Sequence, residues 1–292
     1  MAIIGKYKST VTKKRRSMSV RGVDYCIHEW GDEDAPLFFF LHGWADTGST
    51  FQFVVDALKS DWRVLAPDWR GFGRTSHRSY AYWFPDYLAD LHELLNSYSP
   101  DRPAMLVGHS MGANIASLYA GAMPERVSAI VNIEGFGLAD SDPNDAPRRY
   151  RDWLEASQTP PDFSTYPDYA ILASKIRKRS PALSVAQADF VAREWAAEDN
   201  GVIRLRADPN HKLPNAVLYR RAEAEACWRD ISAAMLLVNG ETSPFAGQFG
   251  DVEALPFHRA RTCTIPKVGH MIHFEAPVPL ATQIERFLQQ PL

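Results

Sequence analysis

The sequence predicts an α/β fold: a doubly wound, mostly parallel sheet with helices on both of its faces. Three observations support this fold class. Apolar runs typical of buried strands alternate along the chain with segments of helical periodicity. One such run, residues 104–107, leads directly into the sequence GHSMG at residues 108–112, and a helical segment follows it. The chain has 292 residues, 46% of them hydrophobic, which is enough for a large core.

The composition is that of an ordinary globular protein, and it excludes several classes of partner. A formal net charge of −3 gives no reason to expect a nucleic acid or an anionic membrane surface as a partner. The N-terminal sequence MAIIGKYKST lacks a long apolar region and no apolar run reaches about 18 residues, so we expect neither a signal peptide nor a membrane-spanning helix. Three widely spaced cysteines form no metal-binding pattern and no disulfide framework. We therefore expect a cytoplasmic protein, a monomer or a homodimer.

Each predicted element follows from its local pattern. Residues 20–30 contain alternating apolar positions and predict an antiparallel edge strand. Residues 37–41 are continuously apolar, as in a strand covered on both faces. Ser49 or Thr50 is a suitable cap for a helix that continues to about residue 59. The remaining predicted core elements are strands at 62–66, 104–107, 127–133, 235–238 and 262–265 and helices at 87–98, 113–120 and 279–290.

The alternation of strands and helices is interrupted in the middle of the chain. We expect a core formed by residues 1–136 and 230–292, with a helical cap inserted at residues 137–229, because the inserted segment shows no run typical of a core strand. The inserted segment contains structure-breaking sequences at 140–147 and 159–162 and helical patterns at 169–179, 185–197 and 215–227.

The turn at residues 108–112 has the features of a nucleophile elbow, with Ser110 at its apex. A serine in this position adopts strained backbone geometry, and the flanking Gly108 and Gly112 leave room for neighbouring elements. The N-terminus of the following helix directs N–H groups and a partial positive charge toward the place where an oxyanion would form. Ser110 is therefore the candidate nucleophile.

A serine hydroxyl is a weak nucleophile and needs a neighbouring base, which in turn needs an orienting group. His270 follows the last predicted strand and Gly269, which places it on a loop over the carboxyl edge of the sheet. His273, at the start of helical structure, is the alternative. We predict that His270 is the base.

These features, taken together and in this order, resemble the α/β-hydrolase superfamily. The matching pieces are the tripeptide His42-Gly43-Trp44, the sequence PDWRGFG at residues 67–73, the GHSMG turn, and the dipeptide Gly269-His270. They extend over nearly the whole chain. The aromatic-rich flanks are more narrowly similar to the serine hydrolase-like subgroup, which has a helical cap between the sixth and seventh sheet strands. The resemblance implies a hydrolase with a Ser–His–acid triad, and its chemistry needs no metal and no organic cofactor.

The acid of the triad is where this sequence departs from the common pattern of the family. The family usually places an Asp three residues after a Gly that ends the seventh strand, but that position is Ser243 here. Glu241, in the same loop, is one substitute. Glu134, directly after the apolar strand at 127–133, is the other, and some relatives, notably haloalkane dehalogenases, have their acid after that strand. We favour Glu134, because a carboxylate at the end of a buried strand is costly unless it is paired.

The same resemblance implies an oxyanion hole formed by the backbone N–H groups of Trp44 and Met111. Ser110 narrows the chemistry, because dehalogenases and epoxide hydrolases of this fold use an Asp as the nucleophile. We therefore predict a serine hydrolase that cleaves an ester or related acyl bond of a small molecule through an acyl-enzyme. Enzymatic alternatives are a carbon–carbon bond hydrolase and a cofactor-free perhydrolase. A non-catalytic binding protein of the same fold is the alternative from another class.

Aromatic residues dominate the predicted substrate pocket. They come from loops at the catalytic edge of the sheet and from the insertion, so a hydrophobic or aromatic acyl group is expected. The candidate pocket residues are His42, Trp69, Trp83, His109 and Trp153.

Overall fold

The computed structural model describes residues 6–77, 81–159, 161–245 and 255–289. The strands are β1 (Lys14–Val20), β2 (Val23–Trp30), β3 (Leu37–Leu41), β4 (Arg63–Pro67), β5 (Ala104–His109), β6 (Val127–Ile133), β7 (Ala196–Asp199), β8 (Val202–Leu205), β9 (Ala234–Gly240) and β10 (Ala260–Ile265). The helices are α1 (Gln52–Val55), α2 (Phe84–Tyr98), α3 (Met111–Ala122), α4 (Ala146–Gln158), α5 (Tyr169–Arg179), α6 (Val185–Trp195), α7 (Arg221–Arg229), α8 (Ile272–Glu275) and α9 (Pro277–Gln289). The predicted end of the last helix, at residue 290, lies outside the described residues. None of the helices in these ranges is long and apolar enough to cross a membrane.

Eight of the strands form one sheet in the order β1-β2-β4-β3-β5-β6-β9-β10. Within this sheet, the neighbouring strands in the series β4-β3-β5-β6-β9-β10 pair parallel. The pairs β1–β2 and β2–β4 are antiparallel. Parallel neighbours need long connections, and these connections carry the helices. The structure therefore confirms the predicted α/β fold with a mostly parallel sheet.

The apolar run of β3 shows that both faces of the sheet are covered. Phe38 and Phe40 pack with residues of α1 and α9 in one core cluster. Phe39 and Leu41 pack with residues of α2 and α3 in the other. Each of these four side chains is at most 1% exposed. The continuous hydrophobicity of residues 37–41 is thus a consequence of two covered faces.

The structure differs from the prediction at the edge of the sheet. The strand predicted at this edge, β2, is covered by β1, which contains three residues of the basic cluster at positions 13–16. Arg21 and Gly22 both have positive φ, 48° and 78°, which matches the tight two-residue turns that reverse a chain between antiparallel strands. Arg16 of β1 bonds to the buried Glu29 of β2. The basic cluster is therefore a largely solvated strand.

The helix predicted to reach residue 59 is also shorter than expected. A single turn of tighter helix, Gly48–Phe51, leads into α1, which ends at Val55. The N–H groups of Lys59 and Ser60 donate to the carboxylate of Glu285 in α9, at 3.0 and 2.8 Å. Because these donors bond to a distant side chain instead of a carbonyl one turn back, the helix cannot continue.

The register of the parallel strands aligns their carboxyl ends. His109 pairs with Ile133, and Ile133 pairs with Val238. The N–H of Ser110 donates to the Ile133 carbonyl at 2.8 Å, and the N–H of Glu134 donates to the Val238 carbonyl at 3.1 Å. These bonds extend the sheet pairing by one residue, so Ser110 and Glu134 begin neighbouring loops at the same edge.

The segment at residues 137–229, which we call the insertion, contains α4 to α7 and a two-stranded antiparallel hairpin, β7–β8, which was not predicted. Its status as a separate helical cap stays a prediction. The predicted helix at 185–197 ends at Trp195 because the chain enters this hairpin. Asn200 and Gly201 form its turn with φ values of 50° and 78°. An Asn-Gly pair is the strongest short signal for such a turn, so the hairpin had a visible sequence signature. The last helix, α7, begins at Arg221 instead of residue 215.

A half-buried histidine attaches the insertion to the core. His211 stacks between Phe72 and Tyr82, with ring centroids 3.7 and 3.5 Å away. Its Nε2 lies 3.2 Å from the Arg70 carbonyl oxygen and donates to it. Tyr82 in turn donates to Asp208 at 2.7 Å. Burial lowers the pKa of His211 to about 3, so the ring is neutral in the folded protein at neutral pH.

Replacing His211 by Phe should reduce the loss of stability in mild acid. The unfolded histidine titrates near 6.5 but the folded one near 3, so the unfolded state binds the proton first as the pH falls. Stability is therefore lost as the pH falls below about 6.5. His211→Phe keeps the ring stacking and removes the side chain whose protonation favours the unfolded state in acid. Urea unfolding at pH 7.5 and pH 5 should show a smaller difference for the variant than for the wild type.

The exposed His258 offers a matched control. His258→Phe should keep the pH dependence of the wild type. Equal losses of unfolding free energy between pH 7.5 and pH 5 in His211→Phe and His258→Phe would show that His211 is not held neutral by its surroundings.

Candidate active site

Ser110 lies between β5 and α3 in a backbone conformation that a serine rarely adopts, with φ 51° and ψ −115°. Its N–H donates to the Ile133 carbonyl, and its own carbonyl accepts from the N–H groups of Ala113 and Asn114 at 3.1 and 3.0 Å. Such a conformation costs about 1–3 kcal/mol and persists only when the surrounding structure determines it. The elbow expected from the sequence is thus present as a strained turn from strand to helix.

The two glycines of the elbow are required by close packing. A Cβ added at Gly108 would lie 2.5 Å from the backbone of Ala113, and one added at Gly112 would lie 2.1 Å from the carbonyl oxygen of Leu41. Both contacts are with backbone atoms that cannot move aside. The absence of side chains therefore allows α3 to approach β5 and β3.

Glu134 begins the turn after β6 with a positive φ of 55°. The side chain of Asn132 closes this turn, because it accepts from the N–H of Gly135 at 2.8 Å and donates to the Gly135 carbonyl at 2.9 Å. A Cβ added at Gly135 would lie 2.8 Å from the carbonyl oxygen of Ser110. The turn that carries Glu134 therefore packs directly against the elbow.

The carboxylate of Glu134 accepts three hydrogen bonds. Oε1 accepts from the N–H of Gly240 at 2.8 Å, and Oε2 accepts from the hydroxyl of Ser243 at 2.7 Å and from Nδ1 of His270 at 2.5 Å. Because Nδ1 carries the proton that it donates, Nε2 of the neutral ring keeps its lone pair. The ring packs against Phe245 at 4.6 Å and its side chain is 21% exposed. His270 thus has one defined tautomer with a basic Nε2.

The second candidate acid lies elsewhere. Glu241 is exposed, and its carboxylate accepts from the N–H of Lys267 at 2.7 Å. The structure therefore brings His270 together with Glu134 and not with Glu241. Ser243, at the position where the family usually has its Asp, is buried and donates to Glu134. The unusual serine at residue 243 is therefore a hydrogen-bond partner of Glu134.

The loop after β3 is held by His42. Its Nδ1 donates to the carbonyl of Gly43 at 2.7 Å, and its Nε2 accepts from the N–H of Trp69 at 2.8 Å. Burial lowers the pKa of His42, which favours the neutral form that both bonds require. A Cβ added at Gly43 would lie 3.2 Å from Cβ of Ser110. The loop therefore lies directly against the elbow.

The expected oxyanion donors are on the two backbone segments that border Ser110. Trp44 follows Gly43 in this loop, and Met111 is the first residue of α3, where N–H groups lack acceptors within the helix. The Trp44 side chain is 49% exposed, and its ring lies 5.9 Å from that of Phe163 in the insertion. The use of these two N–H groups as an oxyanion hole stays a prediction.

A second His–Asp pair is buried behind the first. Nε2 of His273 lies 3.0 Å from Oδ2 of Asp46, and Oδ1 of Asp46 accepts from the indole N–H of Trp195 at 2.6 Å. His109 lies between the two pairs, with its ring centroid 4.6 Å from those of both His270 and His273. Its Nε2 lies 2.9 Å from the His270 carbonyl oxygen and donates to it. The side chain beside the serine thus holds the backbone of His270.

Burial and hydrogen bonding together define the charges in this second group. Burial alone would raise the pKa of Asp46, but the hydrogen bond and the charge of His273 hold it at about 2. Burial and the neighbouring imidazoles lower the pKa of His109 well below its ordinary value. An ionised Asp46 and a neutral His109 therefore lie behind His270 at neutral pH.

Two clusters of buried residues have the spacing of metal ligands. One comprises Asp46, His109 and His273, and the other comprises Cys26, His28 and Asp68. Hydrogen bonds account for most of these groups, including one of 3.1 Å between His28 and Asp68. In the part of the chain that the structure describes, the Nδ1 atoms of His28, His109 and His273 have no hydrogen-bond partner. The expectation of a metal-free site stays a prediction.

The pocket candidates are placed at different depths. His42, Trp69 and His109 are buried next to the elbow, where the Trp69 indole donates to the His42 carbonyl at 3.1 Å. Trp83 is 60% exposed at the start of α2, and Trp153 is half-buried on α4. The three buried residues therefore pack beside the elbow, whereas a pocket role for Trp83 and Trp153 stays a prediction.

Sequence reasoning missed three groups that shape the site: the donor Ser243, the turn-closing Asn132 and the pair formed by Asp46 and His273. A signal existed for Asp46, because it follows a buried strand by only a few residues. A carboxylate in such a place is costly unless it is paired, which is the reasoning that singled out Glu134.

The chain matches a known protein family over most of its length. The profile of the family described as alpha/beta hydrolase fold matches residues 36–277. The chain is 25% identical over 276 residues to a serine hydrolase-like protein of Danio rerio, covering 89% of this chain and 83% of that protein. It is 33% identical over 105 residues to epoxide hydrolase B of Mycobacterium tuberculosis, covering 35% of this chain and 29% of that protein.

Solved structures extend the likeness to the whole fold. The thioesterase domain from the curacin biosynthetic pathway superimposes with a TM-score of 0.83 and 25% identity, covering 94% of this chain and 99% of that domain. An esterase of Mycobacterium tuberculosis superimposes with a TM-score of 0.73 and 21% identity, covering 95% of this chain and 92% of that one, and shares the fold.

Replacing Ser243 by Asp should destabilise the protein in a pH-dependent way. The new carboxylate would face the buried carboxylate of Glu134, and two such groups in contact cannot both ionise, so one pKa rises. A folded-state pKa above the unfolded value means that stability falls as the pH rises through it. We expect the Tm of Ser243→Asp, relative to the wild type, to decrease between pH 5 and pH 8.

Two further variants separate this effect from added charge. Ser164→Asp places the same charge on an exposed residue and should melt like the wild type at both pH values. Adding Glu134→Gln to Ser243→Asp should restore most of the Tm, because an amide can donate to the new carboxylate. Equal melting of Ser243→Asp and Ser164→Asp at pH 8 would contradict the contact between residues 243 and 134.

Proposed function

The chain belongs to the α/β-hydrolase fold family, and from this membership we propose that it is a serine hydrolase. Hydrolase activity follows from the family. The finer proposal is that it cleaves an ester or related acyl bond of a small, hydrophobic substrate through an acyl-enzyme on Ser110. The observation that carries the proposal is the placement of a strained serine and a hydrogen-bonded Glu134–His270 pair at one edge of the sheet.

In the proposed first half of the cycle, Nε2 of His270 takes the hydroxyl proton of Ser110 as Oγ attacks the carbonyl carbon. Glu134 keeps the imidazole in the required tautomer and stabilises the imidazolium that forms. The N–H groups of Trp44 and Met111 stabilise the negative charge on the carbonyl oxygen. When the tetrahedral intermediate collapses, the bond to the leaving group breaks and the leaving group receives the proton from Nε2.

In the second half, a water molecule attacks the acyl carbon while Nε2 of His270 takes one of its protons. The second tetrahedral intermediate collapses, the bond from the acyl carbon to Oγ of Ser110 breaks, and the proton returns to Oγ. The acid product leaves. One water is consumed in each cycle, and the residues return to their starting protonation states.

We assign residues 137–229 the role of a cap over this site. In support, Phe163 of the insertion packs against Trp44, and the Lys212 ammonium lies 5.1 Å from the centre of the Phe163 ring. The indole of Trp195 reaches Asp46 in the loop after β3. Aromatic surface from core and insertion therefore lies close to Ser110, which favours a hydrophobic acyl group.

Within the acyl class, one observation favours a thioester. The likeness to a thioesterase domain extends over 94% of this chain with a TM-score of 0.83. A thioester differs from an ester at the leaving-group atom, so the same serine, histidine and acid would serve both. A panel of p-nitrophenyl esters and acyl thioesters with matched chain lengths would rank the two by kcat/KM.

A fluorophosphonate probe tests the proposed nucleophile directly. We expect one probe per chain, attached to Ser110, because the probe reacts with a serine that a neighbouring base activates. Ser110→Ala should abolish labelling, and Ser164→Ala, an exposed control, should keep it. Mass spectrometry measures both. A folded wild type that is not labelled would instead support a non-catalytic binding protein of this fold.

The assignment of the acid has its own test. Glu134→Gln should lower kcat by about 10³- to 10⁴-fold, because the amide cannot stabilise the imidazolium or secure the tautomer. KM should change less, since the carboxylate faces His270 and not the acyl group. Glu241→Gln, which removes an exposed carboxylate, is the matched control and should be mild. Normal turnover by Glu134→Gln, with Glu241→Gln impaired, would reverse the assignment.

A further inference from the structure

A cleft of about 410 Å³ opens where the loop after β4 meets the β7–β8 hairpin of the insertion. Its lining combines one arginine from the core loop with two from the hairpin and its exit. The residues that line the cleft include Gly73, Arg74, His77, Asp199, Arg204 and Arg206. The lining includes neither Ser110 nor His270, so this cleft is separate from the proposed catalytic centre.

Among the described residues, Arg206 is the arginine of the cleft without an ion-pair partner, although the carboxylates of Glu194 and Asp68 attract it from a longer distance. The side chain is half-buried, and its Nε donates to the Ala196 carbonyl at 3.2 Å. Among the residues that the structure describes, no carboxylate forms an ion pair with it. Burial and the positive charge of Arg74 lower the pKa of Arg206 below its ordinary value of 12.5. The two terminal nitrogens of its guanidinium therefore remain available to an anion.

The other two arginines differ in how far they are neutralised. Arg204 is exposed and already pairs with Asp199 at 3.1 Å. Arg74 reaches Glu194 only at 3.7 Å, and Glu194 also bonds to Lys13 at 2.9 Å. Arg74 is therefore only partly neutralised. The positive charge that remains in the cleft is concentrated on Arg74 and Arg206.

We propose that this cleft binds a phosphate group, held by the guanidinium groups of Arg74 and Arg206. Planar guanidinium forks match the oxygen geometry of phosphate and form paired, charge-assisted hydrogen bonds with it. Bound phosphate would replace the repulsion between two like charges with two attractive contacts. The N–H of Gly73 donates to the Arg206 carbonyl at 2.7 Å, which already aligns the two segments. A bound phosphate thus fastens the hairpin of the insertion to the core.

Isothermal titration calorimetry with inorganic phosphate tests the site on the full chain at pH 7.5 and low ionic strength. We expect one phosphate per chain in the wild type and a Kd at least about tenfold larger in Arg206→Gln, since a charge-assisted bond is lost. Arg74→Gln should also increase Kd. Arg148→Gln, which removes an exposed arginine paired with Asp145, is the matched control and should keep the wild-type Kd. Circular dichroism confirms that the variants are folded.

Absence of binding to the wild type, or equal Kd values for Arg206→Gln and Arg148→Gln, would overturn the proposal. Coenzyme A as a second titrant identifies the source of the phosphate. If coenzyme A binds more tightly than inorganic phosphate, and if Arg206→Gln weakens that binding, the site recognises a phosphate on a thiol carrier. If coenzyme A binds no more tightly than inorganic phosphate, the site recognises a free anion. The titrations use no acyl substrate, so their outcome is independent of the proposed hydrolysis.

Discussion

The geometry of the candidate site depends on one buried anion, the carboxylate of Glu134. Its side chain is 2% exposed, and an ionised carboxylate in such a place costs several kcal/mol unless it is paired and hydrogen-bonded. The three donors that satisfy it come from two segments: Gly240 and Ser243 lie at the end of β9 and in the loop that follows it, and His270 lies in the loop after β10. Satisfying one anion therefore fixes the loops after β9 and β10 against the turn after β6, and it explains why His270 has a single tautomer.

A second buried anion acts in the same way on the other side of the elbow. Asp46 joins the loop after β3 to His273 of α8 and to Trp195 at the end of α6. His109 lies between the two His–acid pairs, and burial and the neighbouring imidazoles lower its pKa, so that this buried ring is neutral. His109 and His273 are at most 1% exposed, whereas the side chain of His270 is 21% exposed. Of these three imidazoles, His270 is the one that solvent can reach.

The parts of the site within one continuous stretch could be predicted from sequence, because the strand, glycines and helix around Ser110 are adjacent in the chain. The α/β fold was predictable for the same reason, since strand and helix patterns are local. Ser243 could not be recognised as a donor, because its partner Glu134 is 109 positions away. The β7–β8 hairpin was missed because strands of four residues are too short for a clear alternating pattern, although the turn at Asn200 and Gly201 was visible.

Ser243 and Glu134 together form one departure from the common family pattern. Residues 134 and 243 are in contact, with 2.7 Å between the Ser243 hydroxyl and the Glu134 carboxylate, so an acid at either position lies beside the same imidazole. His270 can balance only one negative charge there, and a second carboxylate would be a buried charge without a partner. A serine at residue 243 instead supplies a neutral donor to the acid at residue 134. The loss of the usual Asp and the presence of Glu134 therefore depend on each other, and neither is favourable alone.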